Sequence, residues 1–386
     1  MFIFSNTAAM KLYSILFVLA AILKFSDSCL IGDYSLDGFC DPYQQAWQVD
    51  TGNGIEQYKE LKAVCVLKNK CSPTDPAAFF FAYSADLDKW AFTDIYIQHS
   101  KIDNGTATKF AIAATVRFDT KVKEDIVFHE SDTYFDSRLT GYQYMLDQAE
   151  NPPQRFDSWE TGSDILDVLE RFVDSNHPSI CGSMVLIAMR RSPNEVDILR
   201  IVEKLRENQI TVIIASLATP PSYGLHPETM YDLAAKTNGF CALSPHHVLS
   251  ASHTAPNVVA PYIVYSLNLK VSGTGTMVLP TILFPDTFTV HLSVAVQSTC
   301  KAKSFQSLKF SFRNKELGAS GSVEKTREEL RYSYEYIRNS FKVSNFLLAE
   351  PTFFEFTLDY NYTMEDTIQI RLISERGIGH WFPYQD

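Results

Sequence analysis

Residues 181–245 alternate buried strands with amphipathic helices without a break, and this stretch most constrains what the chain can fold into. The run Ser-Met-Val-Leu-Ile-Ala-Met at 183–189 is nearly all apolar, which suits a strand covered on both faces. Over 194–208, Val196, Leu199, Val202 and Leu205 recur at helical spacing between Glu, Arg and Lys, as in an amphipathic crossover helix. A second buried strand is expected at 210–216, a second helix over 228–236 that Asn238-Gly239 stops, and a third strand opening at Phe240. Strand, helix, strand, helix, strand in this order implies parallel pairing with right-handed crossovers, hence an α/β fold.

Two words in that stretch, Gln-Ile-Thr-Val-Ile-Ile at 209–214 and Leu-Ala-Ala-Lys-Thr-Asn-Gly-Phe at 233–240, stand at a telling separation. There the chain resembles the second half of a von Willebrand factor type A (vWA) domain. The resemblance implies a Rossmann-like, mostly parallel central sheet over residues 75–247 and directs the search for its first half upstream. Residues 77–84 then read as the central first strand and 87–98 as its helix. Residues 109–118 and 125–129 read as the next strands, and 134–149 and 163–173 as helices.

Adhesive vWA domains hold a divalent cation at the carboxyl ends of the central strands, through an Asp-x-Ser-x-Ser loop, a Thr and a further Asp. A hard cation needs several oxygen ligands, carboxylate included. In this chain Ala82 stands where the leading Asp belongs, Ser84 matches the first serine, and Asp86 replaces the second. Thr161 matches the family's threonine, but Arg190 and Arg191 follow the strand that should deliver the last carboxylate. A guanidinium pair repels a cation and pairs with a remaining carboxylate such as Asp86. The resemblance is therefore to a vWA-like domain with a degenerate metal-ion-dependent adhesion site, and the expectation is neither metal nor cofactor. A binding rim of Ser84, Asp86, Asp88, Thr161, Asp164, Arg190 and Arg191 is expected instead, because open α/β sheets bind at the carboxyl ends of their strands.

The amino-terminal residues 1–28 hold Lys11, an apolar run over 12–23 and small residues, the pattern of a secretory signal peptide, with Met10 as an alternative start. No later run is long and apolar enough for a transmembrane segment. The sequons at Asn104 and Asn361 suit a glycosylated extracellular product. Seven cysteines fit the same compartment. Cys29, Cys40, Cys65 and Cys71 crowd into residues 29–74, where bonds among them would staple a segment too small for a core of its own. A Cys181–Cys241 bond would have to reach past an intervening strand. A net charge of -11 argues against nucleic acid as a partner.

Beyond the sheet, residues 248–261 read as a linker, being rich in Ser, Ala and Pro. Over 262–386 the period changes to two: Ile263, Tyr265, Leu267, Leu269 and Val271 share one side of a strand, and Phe288, Val290, Leu292, Val294 and Val296 one side of another. Phe354, Phe356 and Leu358 continue the pattern, which predicts an antiparallel β-sandwich domain. Residues 323–341 satisfy both periods, with strand favoured in their second half.

No zinc-peptidase helix motif, nucleophile elbow or phosphate-binding glycine loop occurs. The favoured reading is a secreted, extracellular, non-enzymatic protein in matrix or defence, binding an extracellular protein or matrix component, as in vWA-like proteins with degenerate sites expanded in nematodes. The alternatives are a secreted hydrolase at the domain junction using His246, His247 and His253, and a weak residual cation at Ser84, Asp86 and Thr161.

Overall fold

Phe79, Phe80 and Phe81 are consecutive and all fully buried in the computed structural model of the chain, which only a strand covered on both faces allows. The structure describes residues 45–46, 62–63, 71–103, 108–158, 160–217, 228–244, 248–296, 304–332 and 339–385. The signal peptide at 1–28, Cys29, Cys40, Cys65, Cys300, Asn104, His246 and His247 lie outside the described residues. Two units are distinguished, Met1–Ala46 with Leu61–Lys68, and Trp47–Glu60 with Asn69–Asp386. In the first, β1 (Gln45–Ala46) pairs antiparallel with β2 (Lys62–Ala63).

The second unit begins with the α/β layer. Its elements are β3 (Ala77–Ser84), α1 (Lys89–Ser100), β4 (Phe110–Phe118), β5 (Val127–His129), α2 (Tyr134–Glu150) and α3 (Ile165–Asp174). There follow β6 (Met184–Met189), α4 (Leu199–Glu207), β7 (Thr211–Leu217), α5 (Glu228–Lys236), β8 (Phe240–Ser244) and α6 (Val248–Ser252). The sheet runs in the order β5-β4-β3-β6-β7-β8. Every pair is parallel except β4 with the edge strand β5. Strand order reverses on either side of β3, the arrangement that opens a crevice at the strands' carboxyl ends. Alternation along β3 decides the layers: Ala78, Phe80 and Ala82 join the core under α3, α4 and α5. Phe79, Phe81 and Tyr83 point the other way, toward α1, α2 and α6. Each fully buried Phe contributes about 1.5–3 kcal/mol of transfer free energy.

Three local expectations change. Helix α4 begins at Leu199 rather than near 194, and its buried side chains are Ile201, Val202 and Leu205, while Val196 and Leu199 are exposed. Residues 192–195 are diverted into contacts with neighbouring loops: Ser163 N–H donates to the Ser192 carbonyl (3.0 Å) and Asn194 Nδ2 to the Glu160 carbonyl (2.9 Å). Cys71 does not join an N-terminal cluster but bonds Cys181, with a Cα–Cα distance of 5.2 Å, and Cys241 is free and buried. The cause is strand order. Cys71 precedes β3 and Cys181 precedes β6, and these strands are neighbours, so their entry loops meet. This disulfide fits an oxidising compartment. Finally, residues 248–261 do not hang free as a linker: Val248, Ala255 and Val258 join the core on the α1 side of the sheet.

Asn238 takes a left-handed φ of 54° and Gly239 N–H donates back to the Ala234 carbonyl (2.8 Å), the expected stop for α5. Gly239 is required for a second reason, since a Cβ there would lie 1.8 Å from the Val212 carbonyl oxygen.

The antiparallel domain consists of β9 (Tyr262–Leu283), β10 (Phe288–Val296), β11 (Phe305–Asn314), β12 (Ala319–Thr326), α7 (Arg327–Tyr332), β13 (Ser340–Ala349) and β14 (Phe353–Ser374). It is one sheet folded on itself into a near-barrel. The two 22-residue strands β9 and β14 pair along their whole length. The first half of β14 also pairs with β11, its second half with β10, and the register shifts between Tyr362 and Asp366 where the halves part. The inward residues of both halves share one core, and Phe310 of β11 meets Phe346 of β13 across it at 5.5 Å between ring centres. Residues 327–332 are helical, and Thr326 and Glu329 form a capping box at their start, with Glu329 N–H to Thr326 Oγ1 at 3.2 Å and Thr326 N–H to Glu329 Oε2 at 2.7 Å. Arg371, fully buried on β14, ties this domain to the α/β layer through the carbonyls of Asn238 and Gly239 (3.2 and 2.7 Å).

Candidate functional site

The crevice at the carboxyl ends of β3, β4 and β6 gathers most of the residues singled out above. Leaving β3, Ser84 Oγ donates to Asp119 Oδ2 (2.5 Å) and accepts from the Asp86 amide (3.2 Å). The Asp86 carboxylate then receives both prongs of Arg191, Nε at 2.5 Å and Nη2 at 3.0 Å. Arg191 Nη1 reaches the carbonyls of Ser158 (2.9 Å) and Thr161 (3.0 Å), and its guanidinium lies 5.5 Å from the Phe156 ring centre. Both partners of the pair are buried, with 2% and 3% of their side chains exposed. A fork with four hydrogen bonds in a site so dry is a strong, oriented contact. It also cross-links three segments, the β3 exit, the 158–161 loop and the β6 exit.

Several expected rim residues have other occupations. Ala82 lies within the hydrophobic core beneath α3 and α4. Ser84, Asp86 and Arg191 are buried and engaged internally, so they shape the rim rather than present side chains to a partner. Asp88 is exposed and caps α1 by accepting the Ala91 amide (2.9 Å). Thr161 is exposed and contributes its carbonyl. Asp164 is partly buried and accepts the Asp119 amide (2.8 Å), and Arg190 is partly buried at the end of β6. Gly162 permits the loops to close on one another, since a Cβ there would sit 2.5 Å from the Asn194 nitrogen. Of the junction histidines, His253 is described; Asn361 stands on β14, where its Oδ1 accepts from Thr274 (3.1 Å).

The residue that sequence reading misses is Asp119. It follows β4 in a left-handed conformation (φ 62°), is fully buried, and its Oδ1 has no hydrogen bond of ordinary length. Burial pushes its carboxyl up to about 7; the Ser84 and Ser163 hydroxyls pull it down, while the charges of Asp86 and Asp164 add to the rise. The available signal is positional: an Asp directly after the strand beside the central one.

This donor set does not fit a hard divalent cation. Both Asp86 oxygens are taken by a guanidinium, Ser84 spends its proton on Asp119, and the position of the leading carboxylate is an alanine in the core. Among the described residues, no group of three or more His, Cys, Asp or Glu is placed to hold a metal ion. Among the same residues, no helix is long and apolar enough to cross a membrane.

A family model described as a domain of unknown function (DUF7154) matches residues 267–375, most of the antiparallel domain. No curated protein matches the chain. Among solved structures, the chain is similar to the human COPII-coat protein Sec24c at 9% identity and a TM-score of 0.36, covering 80% of this chain and 45% of that one. It therefore spans less than half the length of that protein. The CspB protease of Clostridium perfringens (6% identity, TM-score 0.22, 57% of this chain and 41% of that one) is also similar. So is the C-terminal CBM6 of LamC from Zobellia galactanivorans (16% identity, TM-score 0.18, 30% of this chain and 95% of that one). All three scores are too low to carry a functional argument, and the α/β layer followed by an antiparallel domain stands on the strand order itself.

Proposed function

We propose that the chain is a secreted, non-enzymatic interaction protein whose vWA-like layer binds an extracellular protein or matrix component through protein surface alone. The observation that carries this reading is the buried Asp86–Arg191 fork at the carboxyl ends of the central strands. It puts a fixed positive charge in the region where the resemblance implies a divalent ion, and it takes up both oxygens of Asp86. Recognition then falls to the exposed groups of the same rim, Asp88, Glu160, Thr161 and Asn194. The Cys71–Cys181 bond and the signal-like amino terminus support secretion. Membership of the secreted, nematode-expanded group of degenerate vWA-like proteins, and glycosylation at Asn104 and Asn361, belong to the same reading.

The test has two arms. Calorimetry with Mg²⁺, Mn²⁺ and Ca²⁺ should show no binding, and a partner captured from the protein's own extracellular fluid should stay bound in chelator but be lost on Asp88→Lys with Asn194→Lys. Micromolar cation binding abolished by Asp86→Ala, or release of the partner by chelator, overturns the reading.

A further inference from the structure

Helix α2 carries an apolar stripe beyond the one that packing on the sheet requires. Tyr134, Ser137, Gly141 and Met145 are buried against the layer. On the neighbouring face Phe135, Leu139, Tyr142 and Leu146 recur at spacings of four, three and four, and each stays partly open to solvent, Leu139 to 42%. That spacing is the seam against which another helix packs. Along one border of the seam stands Arg138, only 8% exposed. Its guanidinium lies over the Phe135 ring, 5.2 Å from the ring centre, with Nε sealed from solvent. Among the described residues this guanidinium has neither a hydrogen bond nor an ion pair. The sequence explains the lack: three and four positions away stand Tyr134, Phe135, Gly141 and Tyr142, with no acid among them. Asp136, Asp147 and Glu150 lie about a third to half a turn round the helix. An arginine so covered is nearly always paired, and a buried charge without an acceptor disfavours the folded chain.

We propose that α2 is a second interaction surface, a seam for an amphipathic helix of a partner protein that carries an Asp or Glu beside its apolar face. The partner's apolar side chains pack between Phe135, Leu139, Tyr142 and Leu146, in the manner of helix recognition by anchors at successive turns. Its carboxylate takes the Nη atoms of Arg138, the ends of the guanidinium that are not sealed. Charge selects the partner: an anion supplies the missing counter-charge, and a planar carboxylate matches the fork. Docking also covers the stripe, so the pair forms where water is excluded and each hydrogen bond gains strength. The seam belongs to the face of the sheet that α1 and α6 share, away from the rim at the strand ends, and it does not rest on the function proposed for that rim.

The experiment selects a phage-displayed library of helix-forming peptides on the full-length chain and depletes it on Leu139→Lys, so that the survivors are those that use this face. Survivors should share an Asp or Glu within an apolar pattern of helical spacing. Binding of one synthetic survivor, read by fluorescence anisotropy, should weaken at least about tenfold in Arg138→Met, and as much when the peptide's acid is replaced by its amide. Combining the two changes should add little, because both remove the same pair. The urea midpoint of the free Arg138→Met chain should stay at or above that of the wild type, since an apolar side chain of similar length relieves an unpaired buried charge. A library that yields no survivors, survivors that lack an acid, or survivors that bind Arg138→Met as tightly as the wild type overturn the proposal. So does a clear fall in the urea midpoint, which would make Arg138 a structural residue. Leu139 is exposed, so the depleting variant folds whatever the fate of Arg138→Met.

Discussion

Replacing Arg191 with alanine tests whether the Asp86–Arg191 fork organises the crevice. The pair is 2% and 3% exposed, so solvent screening does not discount it. Removing one partner of a buried pair costs about 3–5 kcal/mol, mostly because the other charge is stranded. A stranded carboxylate escapes by taking a proton, and neutralising an ordinary carboxyl of pKa about 3.9 at pH 7 costs about 4 kcal/mol, which caps that part. The carbonyls of Ser158 and Thr161 also lose their donor, adding about 1 kcal/mol if water does not replace it. Urea unfolding at pH 7 should therefore show a loss of about 4–5 kcal/mol. The diagnostic signature is its pH dependence: between pH 7 and 5 the loss should shrink by about 1.4 kcal/mol per pH unit, because the escape proton becomes easier to supply. Asp86→Asn in the Arg191→Ala background should recover most of the loss, and because Asp86→Asn alone strands the buried Arg191 charge, the coupling energy of the double-mutant cycle should exceed the energy so recovered. A loss below about 1 kcal/mol, or one independent of pH, would refute the claim that these groups form a dry ion pair.

Three further outcomes are expected. His99 is fully buried and its pKa is lowered to about 4, first by desolvation; its contribution is complete above pH 6.5 and fades as pH falls toward 4, by about 3 kcal/mol in total. His99→Gln should accordingly flatten the acid limb of the stability curve measured by urea titration. Replacing Cys71 and Cys181 together with serine opens a loop of 110 residues and should cost about 4–5 kcal/mol on the chain-entropy estimate, read from the urea midpoint. Gly239→Ala drives a Cβ into the Val212 carbonyl and should prevent recovery of folded protein, whereas Gly318→Ala, at φ 65° with open space around it, should cost only about 1 kcal/mol of backbone strain.

Much of the α/β layer is legible because a doubly covered strand must be apolar throughout, and Phe79, Phe80, Phe81 and residues 183–189 leave little alternative. What escapes is whatever depends on partners remote in sequence. Val196 and Leu199 fit a helical stripe, yet residues 192–195 are drawn into loop contacts and the helix starts later. The Cys71–Cys181 bond follows from strand order, which spacing alone does not reveal. Period-two patterning identifies the strands of the second domain, but it is blind to the fold of β9 and β14 that makes one sheet enclose its own core. At the site, Asp86 and Arg191 are legible as opposite charges in matching loops, while Asp119 is one acid among 45 Asp and Glu. Its burial and left-handed backbone exist only in the folded chain.

A guanidinium and a divalent ion solve the same electrostatic problem at a crevice of this kind, but with different consequences for recognition. A bound ion keeps open coordination positions, so an incoming carboxylate can complete its shell and be gripped strongly. The Arg191 fork spends two hydrogen bonds on Asp86 and two on backbone carbonyls, all directed into the protein. Its charge neutralises Asp86 and braces the loops, and it does so without offering a vacancy. On the function proposed above, a partner would meet Asp88, Thr161 and Asn194 at the surface of a braced rim, where each polar contact is screened and worth little alone. On that reading useful affinity requires area and shape over several loops, which is why a single rim substitution should weaken binding modestly and the pair Asp88→Lys with Asn194→Lys should be needed to abolish it.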